Sequence, residues 1–367
     1  MRNCIKERRK PRFRLAVLFS AAVLLCLILA GESAAFADDN LFGYTSSEVS
    51  AREINPDVKL IPGGMPFGIK LYTKGVPVVG LTEVNTGTKS ERIAGDAGIR
   101  VGDVITGIDG TEVNTVSEVS KAVEASAGKP LVFTVERDGE KLDFTVAPKK
   151  SVDDGVYKAG LWIRDSTSGV GTVTYIDPAD NSFAGLGHGI NDVDTSLLLP
   201  MSRANVLEVR ILGARKGKSG EPGELNGSFE PKLTGTLSAN TPYGVFGRFD
   251  VMPAGAGKAL PIALRDDVKT GECEIISTVG DTKEIYSARI VKKNRNDSMQ
   301  KNFIIEVTDE RLLDATGGIV RGMSGSPVIQ DGRLVGAVTH VMINEPRRGY
   351  GIYIENMLKN SPDSENA

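Results

Sequence analysis

The sequence predicts a mainly β protein of two folded parts, a small α+β domain followed by a larger all-β domain, behind an N-terminal export segment. Three observations carry this. From Lys158 to Val307 short apolar runs recur, cut by Gly, Pro, Asn and Asp, with few helical stripes between them, the texture of barrels and sandwiches. Ahead of that region a punctuated helix begins at Thr115 between strand-like runs. The 367 residues allow two or three domains with an ample core.

The N-terminus reads as an export signal. Arg2, Lys6, Arg8, Arg9, Lys10, Arg12 and Arg14 precede an apolar run from Leu15 to Ala30. That run is short for a membrane span, which needs ~20 residues. It matches the apolar core of a secretory signal, with Ala35-Phe36-Ala37 as a small-x-small cleavage site. A retained anchor is the rival reading, its basic end held in the cytoplasm. Residues 1–37 are therefore expected to be a signal peptide or a membrane anchor, and the remainder to act outside a cytoplasmic membrane. A net charge of -3 gives no reason to expect nucleic-acid binding. Cys4 and Cys26 belong to the export segment, which leaves Cys273 without an intrachain partner. Two histidines and no Cys-x-x-Cys argue against a structural zinc site, and neither metal nor cofactor is expected.

Residues 38–60 read as a linker, and the small domain is expected over residues 61–149. Ile61–Leu71 is a turn opening into a strand. Thr115-x-x-Glu118 fits a capping box for a helix carrying Val116, Val119 and Val123 on one face. Two alternating runs then flank Asp138-Gly139, a hairpin signal. This order, with the stretch AGIRVGDVITGIDG (residues 97–110), resembles a bacterial PDZ domain. The resemblance implies peptide docking by strand addition beside the 115–127 helix. The groove is expected to use Phe67, Gly68, Ile69, Leu71, Val119 and Val123, with backbone N–H groups at Phe67 and Gly68 receiving a terminal carboxylate. A small domain with a filled groove and no ligand is the plainer alternative.

The all-β domain is expected over residues 150–357, with a polar tail at 358–367. The glycine-rich, basic stretch Ala214–Gly227 reads as an exposed loop whose charge serves solvation. Two features carry chemistry. Gly322-Met323-Ser324-Gly325-Ser326-Pro327 sets a serine between glycines, with a hairpin after it around Asp331-Gly332. Small neighbours open the hydroxyl to a substrate carbonyl, and glycines let backbone N–H groups turn toward a developing oxyanion. The string is similar to the nucleophile loop of chymotrypsin-like serine proteases. That likeness implies a chymotrypsin-like β-barrel fold and an oxyanion hole at the N–H groups of Gly322 and Ser324. The second feature is His188, in the turn Gly185-Leu186-Gly187-His188-Gly189, the better general base of the two histidines because His340 lies inside an apolar strand. For the acid that orients the imidazole, Asp177, Asp192, Asp194, Asp250, Asp309 and Asp314 all stand open, since a triad is defined by geometry rather than sequence distance.

Longer stretches carry a closer resemblance. GVGTVTYIDPADNSFAGLGHGI (residues 169–190), KGKSGEPGEL (216–225), TPYGVFG (241–247) and TDERLLDATGGIVRGMSGSPVIQDGRLVGAVTHV (308–341) are similar to the stage IV sporulation protein B family of serine peptidases. That resemblance implies Ser324 as nucleophile, His188 as general base and Asp309 as orienting acid. It further implies an exported sporulation endopeptidase in the space between the forespore membranes, anchored or released after processing. Such a peptidase cleaves itself and a membrane-bound inhibitor of an intramembrane metalloprotease, so that the pro-sigma-K factor is processed. The alternatives are a non-catalytic PDZ scaffold and an HtrA-like quality-control protease. In HtrA-type enzymes the protease domain precedes the PDZ domain, the reverse of the order here.

Overall fold

The computed structural model describes residues 54–294 and 300–362. The export segment expected at residues 1–37, most of the 38–60 linker and the end of the polar tail lie outside the described residues. Among the described residues no helix is long and apolar enough to cross a membrane.

The small domain contains β3 (Val76–Leu81), β4 (Val104–Ile108), α1 (Val116–Ala125), β5 (Leu131–Arg137), β6 (Glu140–Val146) and β7 (Leu161–Ile163). Its sheet runs β7-β3-β4-β5-β6. The capping box forms as expected: Thr115 Oγ1 accepts from Glu118 N–H, and the Glu118 carboxylate accepts from Thr115 N–H. Asp138 and Gly139 both take positive φ, as a two-residue hairpin turn requires. Val119 and Val123 are buried against the sheet with Ile105, Phe133 and Val135. Asp103, 1 % exposed, is tied to the Arg137 guanidinium at 2.6 and 2.8 Å.

The all-β part is two six-stranded barrels. The first uses β2 (Pro66–Thr73), β8 (Ser166–Ile176), β9 (Ser182–Gly185), β10 (Met201–Arg215), β11 (Glu224–Thr241) and β12 (Gly244–Phe249). Its order β9-β12-β11-β10-β2-β8 is closed by a β8–β9 pairing, and β1 (Lys59–Pro62) adds outside β8. Phe67, Ile69, Leu71, Phe183, Val206 and Phe249 fill its interior. The second barrel is a closed ring of β13 (Gly271–Thr278), β14 (Lys283–Lys293), β15 (Phe303–Val307), β18 (Arg348–Tyr353), β17 (Arg333–Val341) and β16 (Pro327–Gln330). Helix α2 (Glu310–Thr316) precedes β16 and helix α3 (Ile354–Lys359) follows β18. Closure removes the exposed strand edges that so β-rich a chain would otherwise present.

The strand placed at residues 66–73 corrects the sequence reading. It does not belong to the small domain. Ile69 stands opposite Gly169 of β8 and Val206 of β10, so β2 is an interior strand of the first barrel. The small domain is therefore an insertion between two barrel strands, not a preceding unit with its own boundary at 61. Its outer strand β7, opposite β3 at Leu161↔Leu81, comes from beyond residue 150, where the all-β part was expected to begin. Alternating burial reports which faces of a strand are covered; it cannot report by what.

Candidate active site

The two barrels meet around the loop between α2 and β16. Asp309 caps α2, and Gly317 ends it in the left-handed conformation. The chain then crosses Gly322 and Gly325, at φ +96° and +97°, before entering the β16–β17 hairpin. Gly325 is irreplaceable on steric grounds: a Cβ there would lie 1.9 Å from the carbonyl oxygen of Thr172. Thr172, 2 % exposed on β8 of the first barrel, clasps this loop. Its N–H donates to Ser324 C=O (3.0 Å) and its Oγ1 to Gly322 C=O (2.8 Å).

This leaves the loop with an unusual donor pattern. Met323 N–H is bonded to Val320 C=O and Gly325 N–H to Val338 C=O, whereas the N–H groups of Gly322 and Ser324 have no acceptor among the described residues. Buried or half-buried N–H groups are normally paired. Here both unpaired donors belong to residues lining one cavity of about 510 Å³, which also exposes Ser324, His188, Thr339 and His340. Such a pair of donors can hold an oxyanion. The remaining wall is mostly apolar, with Ile190, Ile319, Val320, Val341 and Ile343 beside the polar Thr167, Ser168 and Asn191, and Arg321 is its one full charge.

His188 follows β9 through Leu186 and Gly187, both at positive φ. Its Nδ1–H donates to Gly189 C=O at 2.8 Å, which fixes the tautomer and leaves Nε2 as the acceptor. Protein surrounds most of the ring while one side faces the cavity, and burial lowers its pKa; the Gly189 bond acts weakly the other way. The imidazole is thus a neutral base at neutral pH. The Ser324 hydroxyl donates to Thr339 C=O at 2.6 Å, so it must turn from that carbonyl to meet a base. His340 lies against His188 with ring centroids 4.8 Å apart and the rings tilted by 35°, and it has an unpaired, buried Nδ1. Burial first, then His188 and Lys301, push its pKa down to about 4.

The acid expected at Asp309 does not join this group. Its carboxylate accepts from Arg311 N–H, Nε and Nη2 and from Ser287 N–H, and among the described residues it does not reach His188. The Arg311 guanidinium holds its pKa down at about 2. The reason is local: Asp309 is the cap of α2, on the β14 side of the second barrel, where a carboxylate satisfies the helix's open N–H groups. Asp192 and Asp194 are paired with Arg164, and Asp177 caps its own turn at Ala179. The imidazole partner at Nδ1 is a backbone carbonyl.

The structure brings together Ser324, His188 and the N–H groups of Gly322 and Ser324. It separates Phe67, Gly68, Ile69 and Leu71 from Val119 and Val123, since the former lie in the first barrel and the latter in the small domain's core. Sequence reasoning set His340 aside as a strand residue; the available signal was its place eight residues past the Asp331-Gly332 turn, on the strand returning beside the serine loop. No cluster of three His, Cys, Asp or Glu side chains capable of holding a metal ion occurs among the described residues.

Residues 155–358, more than half of the chain, match the SpoIVB peptidase S55 family. The chain belongs to that family. It is a serine peptidase, and residues 70–147 match the PDZ domain family. The S55 match begins inside the insertion, ahead of β7, and leaves out β2 at residues 66–73, which completes the first barrel. Among curated relatives, the zinc metalloprotease RasP of Geobacillus kaustophilus is 26% identical over 104 residues, which is 22% of this chain and 25% of that protein. The membrane metalloprotease ARASP of Arabidopsis thaliana is 32% identical over 109 residues, 28% of this chain and 22% of its own. The chain spans about a quarter or less of the length of these relatives. Among solved structures, the active form of the Mycobacterium tuberculosis Rv3671c protease is similar over 54% of this chain and 76% of its own, at 14% identity and a TM-score of 0.31. The HtrA-type protease AlgW with a tripeptide is similar over 52% and 54%, at 16% identity and a TM-score of 0.32.

Proposed function

We propose that this S55 peptidase cleaves peptide bonds with Ser324 as nucleophile and His188 as general base, the N–H groups of Gly322 and Ser324 receiving the oxyanion. The observation that carries this reading is the pair of unpaired N–H groups opening into the same cavity as the serine and the imidazole. Oγ of Ser324 attacks the scissile carbonyl carbon as its proton passes to His188 Nε2, and the carbonyl oxygen becomes the bound anion. His188 returns that proton to the leaving amine as the C–N bond breaks. Water then hydrolyses the acyl-serine with His188 again as base. The Gly189 carbonyl, in place of a carboxylate, steadies the imidazolium. The apolar walls favour apolar side chains beside the scissile bond.

In the cell this reading makes the chain an exported sporulation peptidase acting between the forespore membranes. It cleaves itself and a membrane-bound inhibitor of a membrane metalloprotease, with the PDZ domain docking the substrate. Family membership and the basic, apolar N-terminus support that role. The test is to incubate the purified full chain with the extracytoplasmic part of that inhibitor and sequence the products. Cleavage next to apolar residues is expected, and an intact inhibitor beside an active peptidase refutes the assigned partner.

A further inference from the structure

The β10–β11 hairpin reaches from the first barrel onto the second. Gly217 N–H donates to Thr316 C=O (2.8 Å), Gly220 N–H to Ile343 C=O (2.9 Å) and Ser219 Oγ to Asn344 C=O (2.9 Å). Behind this exposed tip, Gly223–Leu225 runs parallel to Arg321 as a single β-bridge. Arg321 N–H donates to Gly223 C=O at 3.0 Å, and Arg321 C=O accepts from Leu225 N–H at 2.8 Å. Residues 216–225, read from sequence as part of a solvated loop, are thus a docked element.

The consequence lies in one peptide plane. Arg321 C=O and Gly322 N–H belong to the same trans peptide, so they point in opposite directions. Leu225 draws the carbonyl toward the hairpin and thereby aims the N–H at the cavity. Glycine at 322 is needed for φ +96°, but it also removes the steric penalty that would keep the plane from turning over. The Ser324 donor is secured within the loop itself, because Met323 C=O accepts from Ser326 N–H at 2.9 Å. The Gly322 donor has no such local restraint on its carbonyl.

We propose that the 216–225 hairpin segment is the positioning element of the oxyanion hole, with Leu225 N–H setting the orientation of Gly322 N–H from the other barrel. Undocking the hairpin frees Arg321 C=O to turn inward, which removes one donor and places a repelling oxygen beside the developing anion. This inference rests on the peptidase reading above.

The test uses the full chain and p-nitrophenyl acetate, whose hydrolysis passes through an acyl-serine and an oxyanion. Wild type is compared with Leu225→Pro, which lacks the N–H, and with a chain in which exposed Lys218–Glu221 is replaced by Gly-Gly. Loss of one oxyanion donor lowers kcat by about 10²–10³-fold. Leu225→Pro is expected to fall in that range and the tip replacement at least about tenfold, with KM within about threefold and thermal unfolding of the tip variant unchanged. If Leu225→Pro does not fold, the tip replacement decides alone. A folded variant with kcat within about threefold of wild type overturns the inference, as does a rise in KM that accounts for the whole loss. A wild type that neither hydrolyses the ester nor reacts with a fluorophosphonate refutes the peptidase reading first; an active wild type with unaffected variants refutes only the hairpin's role.

Discussion

Asp309→Asn separates a structural carboxylate from a catalytic one. In the fold Asp309 is 11 % exposed and its pKa is held at about 2, against an ordinary 3.8. Taken whole, that difference corresponds to about 2 kcal/mol. Its main cause, Arg311, is 61 % exposed, so solvent screening leaves about 1 kcal/mol. Asparagine still caps α2, so the helix start survives. The variant should unfold about 2–4 °C lower at neutral pH. Because the folded-state pKa is depressed, this stabilisation is present above about pH 4 and fades as pH falls toward 2. The two unfolding curves should therefore converge over that interval. Activity is the deciding measurement: kcat/KM of Asp309→Asn should stay within about threefold of wild type. A loss near 10⁴-fold with unchanged unfolding temperature, the signature of a triad carboxylate, would refute the placement of Asp309 outside the catalytic group.

Other predictions follow from the same geometry. Burial holds the pKa of His188 below that of an ordinary imidazole, so the base stays neutral and kcat/KM should hold level to a pH lower than 6.5 before its acid limb; an acid limb above 6.5 contradicts the buried base. Gly325→Ala drives a Cβ into the Thr172 carbonyl at 1.9 Å and should abolish ester hydrolysis, which a simple assay of the purified variant checks. Arg137→Met leaves the nearly fully buried Asp103 unpaired and should destabilise the PDZ domain by about 3–5 kcal/mol, read as earlier local hydrogen exchange over residues 97–110.

Much of the local structure was legible in the sequence. The capping box at Thr115 and Glu118, the Asp138-Gly139 and Asp331-Gly332 hairpins and the short strands of the barrels are written in near-neighbour chemistry. What the sequence could not state was partnership across long separations. The 66–73 strand has apolar residues at alternate positions, Phe67, Ile69 and Leu71, as any half-covered strand would, and nothing in it says that its neighbours are residues 166–172 and 201–207 rather than the domain that follows it at once. The candidate site divides in the same way. Ser324 and His188 were marked by their glycines. The role of Asp309 came through resemblance, and its geometry is that of a helix cap. Thr172 and Leu225 enter the site through tertiary contacts that leave no local mark.

Fluorophosphonate labelling of the full chain, wild type beside Ser324→Ala and His188→Ala, tests the catalytic assignment most directly. Peptide mass spectrometry should find the adduct on Ser324 alone in wild type, none in Ser324→Ala, and labelling slowed by orders of magnitude in His188→Ala. An adduct on another serine, or equal labelling of wild type and His188→Ala, would contradict the assignment of nucleophile and base to this cleft.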